Sequence, residues 1–239
     1  MAEWTRLDLA EEILGYRFRD TELGTVALST WRSGFSRLEF LGDAVLGLAV
    51  GSEATLRGHG AREAVEAVTN RILDARFRAN LAICTSANSG DVIEALVGAI
   101  HLDGGFELAA SVSLMWCGWS DLWEDVVDGS RRSLGGKSLA FIGAATLSAV
   151  VADTLCRTEP RRTHEWYSTQ RSNWLRRERL ARISVERGLA QQGHSDSRQW
   201  AARASDHLER QVAEIFLNEG WEAAVHSVFA LGVIESSFA

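Results

Sequence analysis

Proline occurs once in this chain of 239 residues, and tyrosine and methionine twice each. So little proline leaves helices uninterrupted, and with many Ala, Leu, Glu and Arg and few Tyr or Thr it predicts an all-α protein. The three cysteines, Cys84, Cys117 and Cys156, are odd in number and have no C-x-x-C spacing. That excludes a disulfide framework and a cysteine-based zinc site. Basic residues are outnumbered, 25 against 32 acidic ones, for a net charge of −7. Nucleic-acid binding by bulk charge is excluded, while a local basic patch is not. Gly, Asp or Arg interrupts each apolar run, so no membrane-spanning run is expected. The opening MAEWTRLDLAEEIL is acidic and has neither a signal-peptide core nor transit-peptide character, so a soluble, cytoplasmic chain is expected. At 46% hydrophobic the chain can bury a proper core, in one large domain or two small ones.

The most informative stretch is Gly34 to Val50, GFSRLEFLGDAVLGLAV. It is apolar almost all round, the mark of a buried helix. Glu39 and Asp43 nevertheless lie in it, four residues apart and on one face. Arg37, the nearest cation, points elsewhere, so no basic residue at helical spacing compensates them. A divalent metal held by oxygen ligands is the simplest remedy for such a pair. A second pair, Asp91 and Glu94, sits at i and i+3 in another apolar helix, SGDVIEALVGAIHLDGG. Two helices each offering two carboxylates make a cage suited to Mg²⁺ or Mn²⁺.

Around these stretches the pattern predicts helices over 7–15, 22–30, 61–81 and 106–123, with a polar loop at 84–90. Asp128 to Lys137 is polar and contains glycine, and it marks the best boundary, between a domain at 1–125 and another at 126–239. The chain then repeats. Gly135 to Val151 aligns with Gly34 to Val50 at an offset of 101, matching Leu38, Phe40, Gly42, Ala44, Leu46 and Val50 with Leu139, Phe141, Gly143, Ala145, Leu147 and Val151. DHLERQVAEIFLNEGWEAA echoes DVIEALVGAIHLDGGFELA at an offset of 115, with Asp206 and Glu209 standing for Asp91 and Glu94. Glu39 and Asp43, however, become Ala140 and Ala144. An internal duplication accounts for the length and for this pattern.

At these residues the chain resembles the ribonuclease III family. Arg37 to Leu46 reads as the family's R-L-E-F-L-G-D-A-V-L signature, and Asp91 to Gly105 as its second motif. The lead-in appears at Ile13 to Asp20 and Thr30 to Ser33, with Trp31 in place of the usual His. The resemblance covers 5 to about 110 well and 135–239 more weakly. It implies a divalent-metal-dependent endoribonuclease for double-stranded RNA, with Glu39, Asp43, Asp91 and Glu94 as catalytic metal ligands and Mg²⁺ (or Mn²⁺) as cofactor. It also implies that the signature helix pairs two domains, here within one chain as a pseudo-dimer, with one working centre and a degenerate partner. A homodimer through the first halves or a protein partner is compatible with that arrangement. The family often has an acidic residue where Ser36 stands, which implies weakened metal affinity. The rival expectation is a non-catalytic RNA-binding or scaffold subunit of a larger ribonucleoprotein assembly.

Four further features have competing readings. Nine arginines between Arg157 and Arg187, against four glutamates, could track an RNA backbone or form an ordinary solvated face. Asp206 and Glu209 cannot complete a site whose other members are alanine, and are expected to be relics or surface charges. Trp116, Trp119 and Trp123 are expected in packing rather than base stacking. Gly136-Lys137-Ser138 imitates a phosphate-binding loop, but Arg131 stands where its first glycine belongs.

Overall fold

The computed structural model describes residues 5–59, 89–117, 119, 134–192 and 198–234. Among them are ten helices and no strand: α1 (Arg6–Leu14), α2 (Thr21–Ala27), α3 (Phe35–Leu56), α4 (Ser89–Gly104), α5 (Phe106–Trp116), α6 (Gly136–Thr158), α7 (His164–Trp174), α8 (Arg177–Glu186), α9 (Arg198–Glu219) and α10 (Trp221–Leu231). The expected helix at 61–81, most of the loop at 84–90, Cys84, Trp123 and the boundary at 125/126 lie outside the described residues.

Local chemistry sets several helix ends. Thr5 and Asp8 form a reciprocal capping box at the start of α1, satisfying two otherwise orphaned N–H groups. Asp20 caps α2 through the Glu22 N–H at 3.0 Å, and α2 ends at Ala27, short of the Thr30 expected. α3 instead runs a turn and a half beyond Val50, because the buried residues continue through Thr55. α5 stops at Trp116 rather than Trp123. The Trp119 N–H reaches back to the Leu114 carbonyl at 3.0 Å, the six-to-one bond of a helix ending. Trp119 is buried beyond that stop, and Arg57 lies over its ring.

α3 and α6 pack on each other at the centre, with α4 against α3 and α9 against α6. Glycine allows the two flanking contacts. A Cβ on Gly42 would lie 1.6 Å from the Glu94 carbonyl oxygen, and one on Gly143 would lie 1.8 Å from that of Glu209. The backbones therefore touch where any larger residue would hold them apart. α4 passes into α5 through Gly105 and α9 into α10 through Gly220, at φ/ψ of 92°/173° and 88°/−172°.

One continuous apolar core takes in residues from both ends of the chain. Phe106 at the start of α5 stacks on Trp221 at the start of α10, with centroids 4.7 Å apart and planes at 11°. Phe40 stacks on Tyr167 of α7 at 5.2 Å. A buried polar link also crosses the core. His101 of α4 meets Asp153 of α6, Nε2 to Oδ1, at 2.9 Å, and the Arg157 Nε donates to the same carboxylate at 2.7 Å. Burial works against the Asp153 charge, yet the His101 hydrogen bond and charge, then Arg157, hold its carboxyl below the ordinary range.

Contrary to the expectation from sequence, α6 is long and apolar enough to cross a membrane by length and composition. Most of its residues are buried between α3 and α9, so its hydropathy serves packing. Asp153 and Arg157 interrupt the apolar run in sequence but pair with each other one turn apart.

Candidate metal centre

α3 carries Glu39 and Asp43, and α4 carries Asp91 and Glu94, on the two helices that Gly42 brings into contact. Gly98 closes the same seam from the other side, since a Cβ there would meet the Leu38 carbonyl oxygen at 2.1 Å. Ligand oxygens of Glu39, Asp91 and Glu94 consequently lie within 4.8 Å of one another, and each side chain is half-buried. Three carboxylates this close oppose one another's ionisation. Glu94 is pushed up to about 7, chiefly by burial, then by Asp43, Glu39 and Asp91. Glu39 is raised by burial as well, with Asp91 and Asp43 adding to the effect and His164 opposing it. Oxygen-only donors, crowded and short of positive charge, fit a small divalent cation.

Asp43 lies outside that group of three, although its charge still raises Glu94 and Glu39. Its side chain is 58% exposed, and its Oδ2 lies 3.5 Å from Nη1 of Arg171, on α7. Asp43 thus has a cation beside it, though none at helical spacing within α3. The compensating charge comes from 128 positions further along the chain, where helical spacing within α3 gives no warning of it. His164, also on α7, faces Glu39 closely enough to oppose its pKa shift, and its ring meets Phe40 edge-on at 5.7 Å. Neither Arg171 nor His164 was singled out by spacing. The arginine-rich run from 157 to 187 was the only signal, and it did not say which member mattered.

The corresponding region of the second half is different. Ala140 is buried and Ala144 exposed, while Asp206 and Glu209 are half-buried on α9. Glu209 is pushed up to about 7 by burial and then by Asp206, with Arg177 and Arg210 opposing. No three-donor group forms here among the described residues. Much of the arginine run is structural. Arg157 serves Asp153, Arg162 pairs with Glu159 at 3.0 Å, and Arg179 and Arg187 donate to the Val233 and Leu231 carbonyls at the end of α10. Arg161, Arg176, Arg177 and Arg182 are exposed.

The ribonuclease III domain model matches residues 137–228, the half whose resemblance had looked weaker from its motifs. The chain is similar to a protein named Ribonuclease 3 from Coxiella burnetii (strain CbuK_Q154), 32% identical over 131 residues, covering 45% of this chain and 56% of the relative. It is also similar to Ribonuclease 3 of Pseudomonas fluorescens (strain Pf0-1), 36% identical over 137 residues, with 46% and 58% covered. The chain thus spans little more than half the length of the curated relatives it matches.

Proposed function

We propose, from the premise that this chain belongs to the ribonuclease III family, that it is a divalent-metal-dependent endoribonuclease cutting double-stranded RNA at one centre per chain. The observation that carries this reading is the convergence of Glu39, Asp91 and Glu94 within 4.8 Å across two helices. With Asp43 beside them they are the residues to hold Mg²⁺ (or Mn²⁺). A bound divalent ion would supply Lewis acidity and an activated water for phosphodiester hydrolysis. The carboxylates would hold the cation, whose charge would favour the ionised form of Glu94 against the burial and neighbouring acids that raise it to about 7.

The second half reads as a structural partner that replaces the other subunit of a dimer. Supporting this are the packing of α3 on α6, the Phe106–Trp221 stack, and glycine seams of like geometry at Gly42 and Gly143. An internal duplication into units near 1–125 and 126–239 accounts for these correspondences. Ala140 and Ala144 remove two of the four acids from the second unit, which leaves one centre and predicts nicking of one strand. Because the domain match falls on the acid-depleted half, a non-catalytic RNA-binding or scaffold role is the second reading.

Cleavage of a strand-labelled RNA duplex with Mg²⁺ or Mn²⁺ separates the two. Metal-dependent nicking, lost in Glu39→Ala and in Asp91→Ala, is the expected result. Cutting of both strands would overturn the single-centre arrangement, and no cleavage with either metal would favour the scaffold.

A further inference from the structure

Arg171 belongs to the second half yet sits at the edge of the acidic centre of the first. Its Nη1 lies 3.5 Å from the Asp43 carboxylate and donates to the Ser148 hydroxyl at 3.3 Å. Its guanidinium carbon is 4.6 Å from the centre of the Phe40 ring. Two helices of the second half and one of the first thus hold this group in place. Its side chain is 25% exposed, so it can be reached from solvent. A planar guanidinium fixed on an aromatic face has forked donors suited to a phosphate. Asp43, meanwhile, is the one acid of the four that lies outside the close group of three.

We propose that Arg171 is an exchangeable counter-ion of Asp43: it holds this carboxylate out of the metal centre in the free protein, and turns to an RNA phosphate when a divalent cation takes Asp43. The inference rests on the metal-centre reading above. The exchange makes binding of the cation and binding of the duplex favour each other, and such coupling is reciprocal. It also gives the second half a part in the site that no residue of the first half supplies. Arg171 acts on the metal through Asp43, which makes it a positioning residue for the cation.

Opposite signs in two binding measurements test the exchange. Mn²⁺ affinity is read from the loss of free-ion electron paramagnetic resonance signal. Duplex RNA affinity is read by fluorescence anisotropy in EDTA, where no cutting occurs. Arg171→Gln is expected to bind Mn²⁺ about two- to fivefold more tightly, the range for releasing a part-exposed ion pair, and, in the Asp43→Asn background where the guanidinium is free, to weaken RNA binding by a similar factor. Asp43→Asn is expected to bind RNA more tightly, because it frees the guanidinium. In the Asp43→Asn background, Arg171→Gln should leave Mn²⁺ affinity unchanged. Arg171→Lys keeps the charge, and should leave Mn²⁺ affinity near that of the parent while losing part of the RNA affinity. If the parent binds Mn²⁺ in a manner sensitive to Glu39→Gln, and Arg171→Gln leaves that binding unchanged or weaker, the exchange is overturned and the metal centre stands. If the parent binds no Mn²⁺, both readings fall.

Discussion

Replacing Glu209 with glutamine removes a carboxyl that burial, reinforced by Asp206, raises to about 7 against the pull of Arg177 and Arg210. In the unfolded chain the same group returns to its ordinary value of 4.5. Between those two values the folded protein binds more protons than the unfolded one, so stability falls as pH rises. The favourable contribution of the neutral acid is complete below 4.5 and gone above about 7. At about 1.4 kcal/mol per pH unit, the interval amounts to at most about 3 kcal/mol, and partial exposure reduces it to about 1–3 kcal/mol. Glutamine has nearly the same shape and does not titrate. Glu209→Gln should therefore nearly match the parent at pH 4 and exceed it by that amount at pH 8. Urea unfolding at the two pH values measures the difference, provided the dependence on urea stays the same in both proteins. Glu94 tilts the pH profile in the same direction, but it is present in both proteins and cancels. An equal effect at pH 4 and pH 8, or a less stable variant at pH 8, would refute the reasoning. Arg177 and Arg210 would then outweigh burial, and the acid would be a charged partner rather than a relic.

Gly143→Ala should destabilise by at least about 1–3 kcal/mol, since its Cβ would meet the Glu209 carbonyl at 1.8 Å and force α6 from α9. Gly47→Ala is its control, for nothing lies within 4 Å of a Cβ there, and thermal unfolding should show a gain of about 0.5–1 kcal/mol from helix propensity. Asp153→Ala strips the Nε2 partner from His101, which is 1% exposed and whose Nδ1 has no hydrogen-bond partner among the described residues. Denaturant unfolding at pH 7 should show a loss of about 2–4 kcal/mol. The contribution of the Asp153 charge is present above its ordinary pKa of 3.8 and is lost as pH falls through the lower folded value, so the variant and parent should converge in strong acid. A loss under 0.5 kcal/mol at pH 7 would show that the His–Asp link does not hold the two halves together.

The helices and the acids of the centre were legible because both are local. Low proline and the 3.6-residue period give the all-α class, and spacing of four and of three places each acidic pair on one helix face. Gly42 and Gly143 stood in matching positions of two similar stretches, and the structure uses both as points of close backbone approach. The sequence alone places Ala140 and Ala144 where Glu39 and Asp43 stand in the similar stretch, because aligning two stretches requires no tertiary information. What surrounds each acid was decided by tertiary structure. Arg171 reaches Asp43, and Asp153 reaches His101, only because α3 and α6 cross at the centre of the core. Those contacts depend on how two distant helices meet, and a period read along one helix carries no information about the other. The sequence therefore identified four acids, and the fold divided them into a close group of three and a fourth held by an arginine.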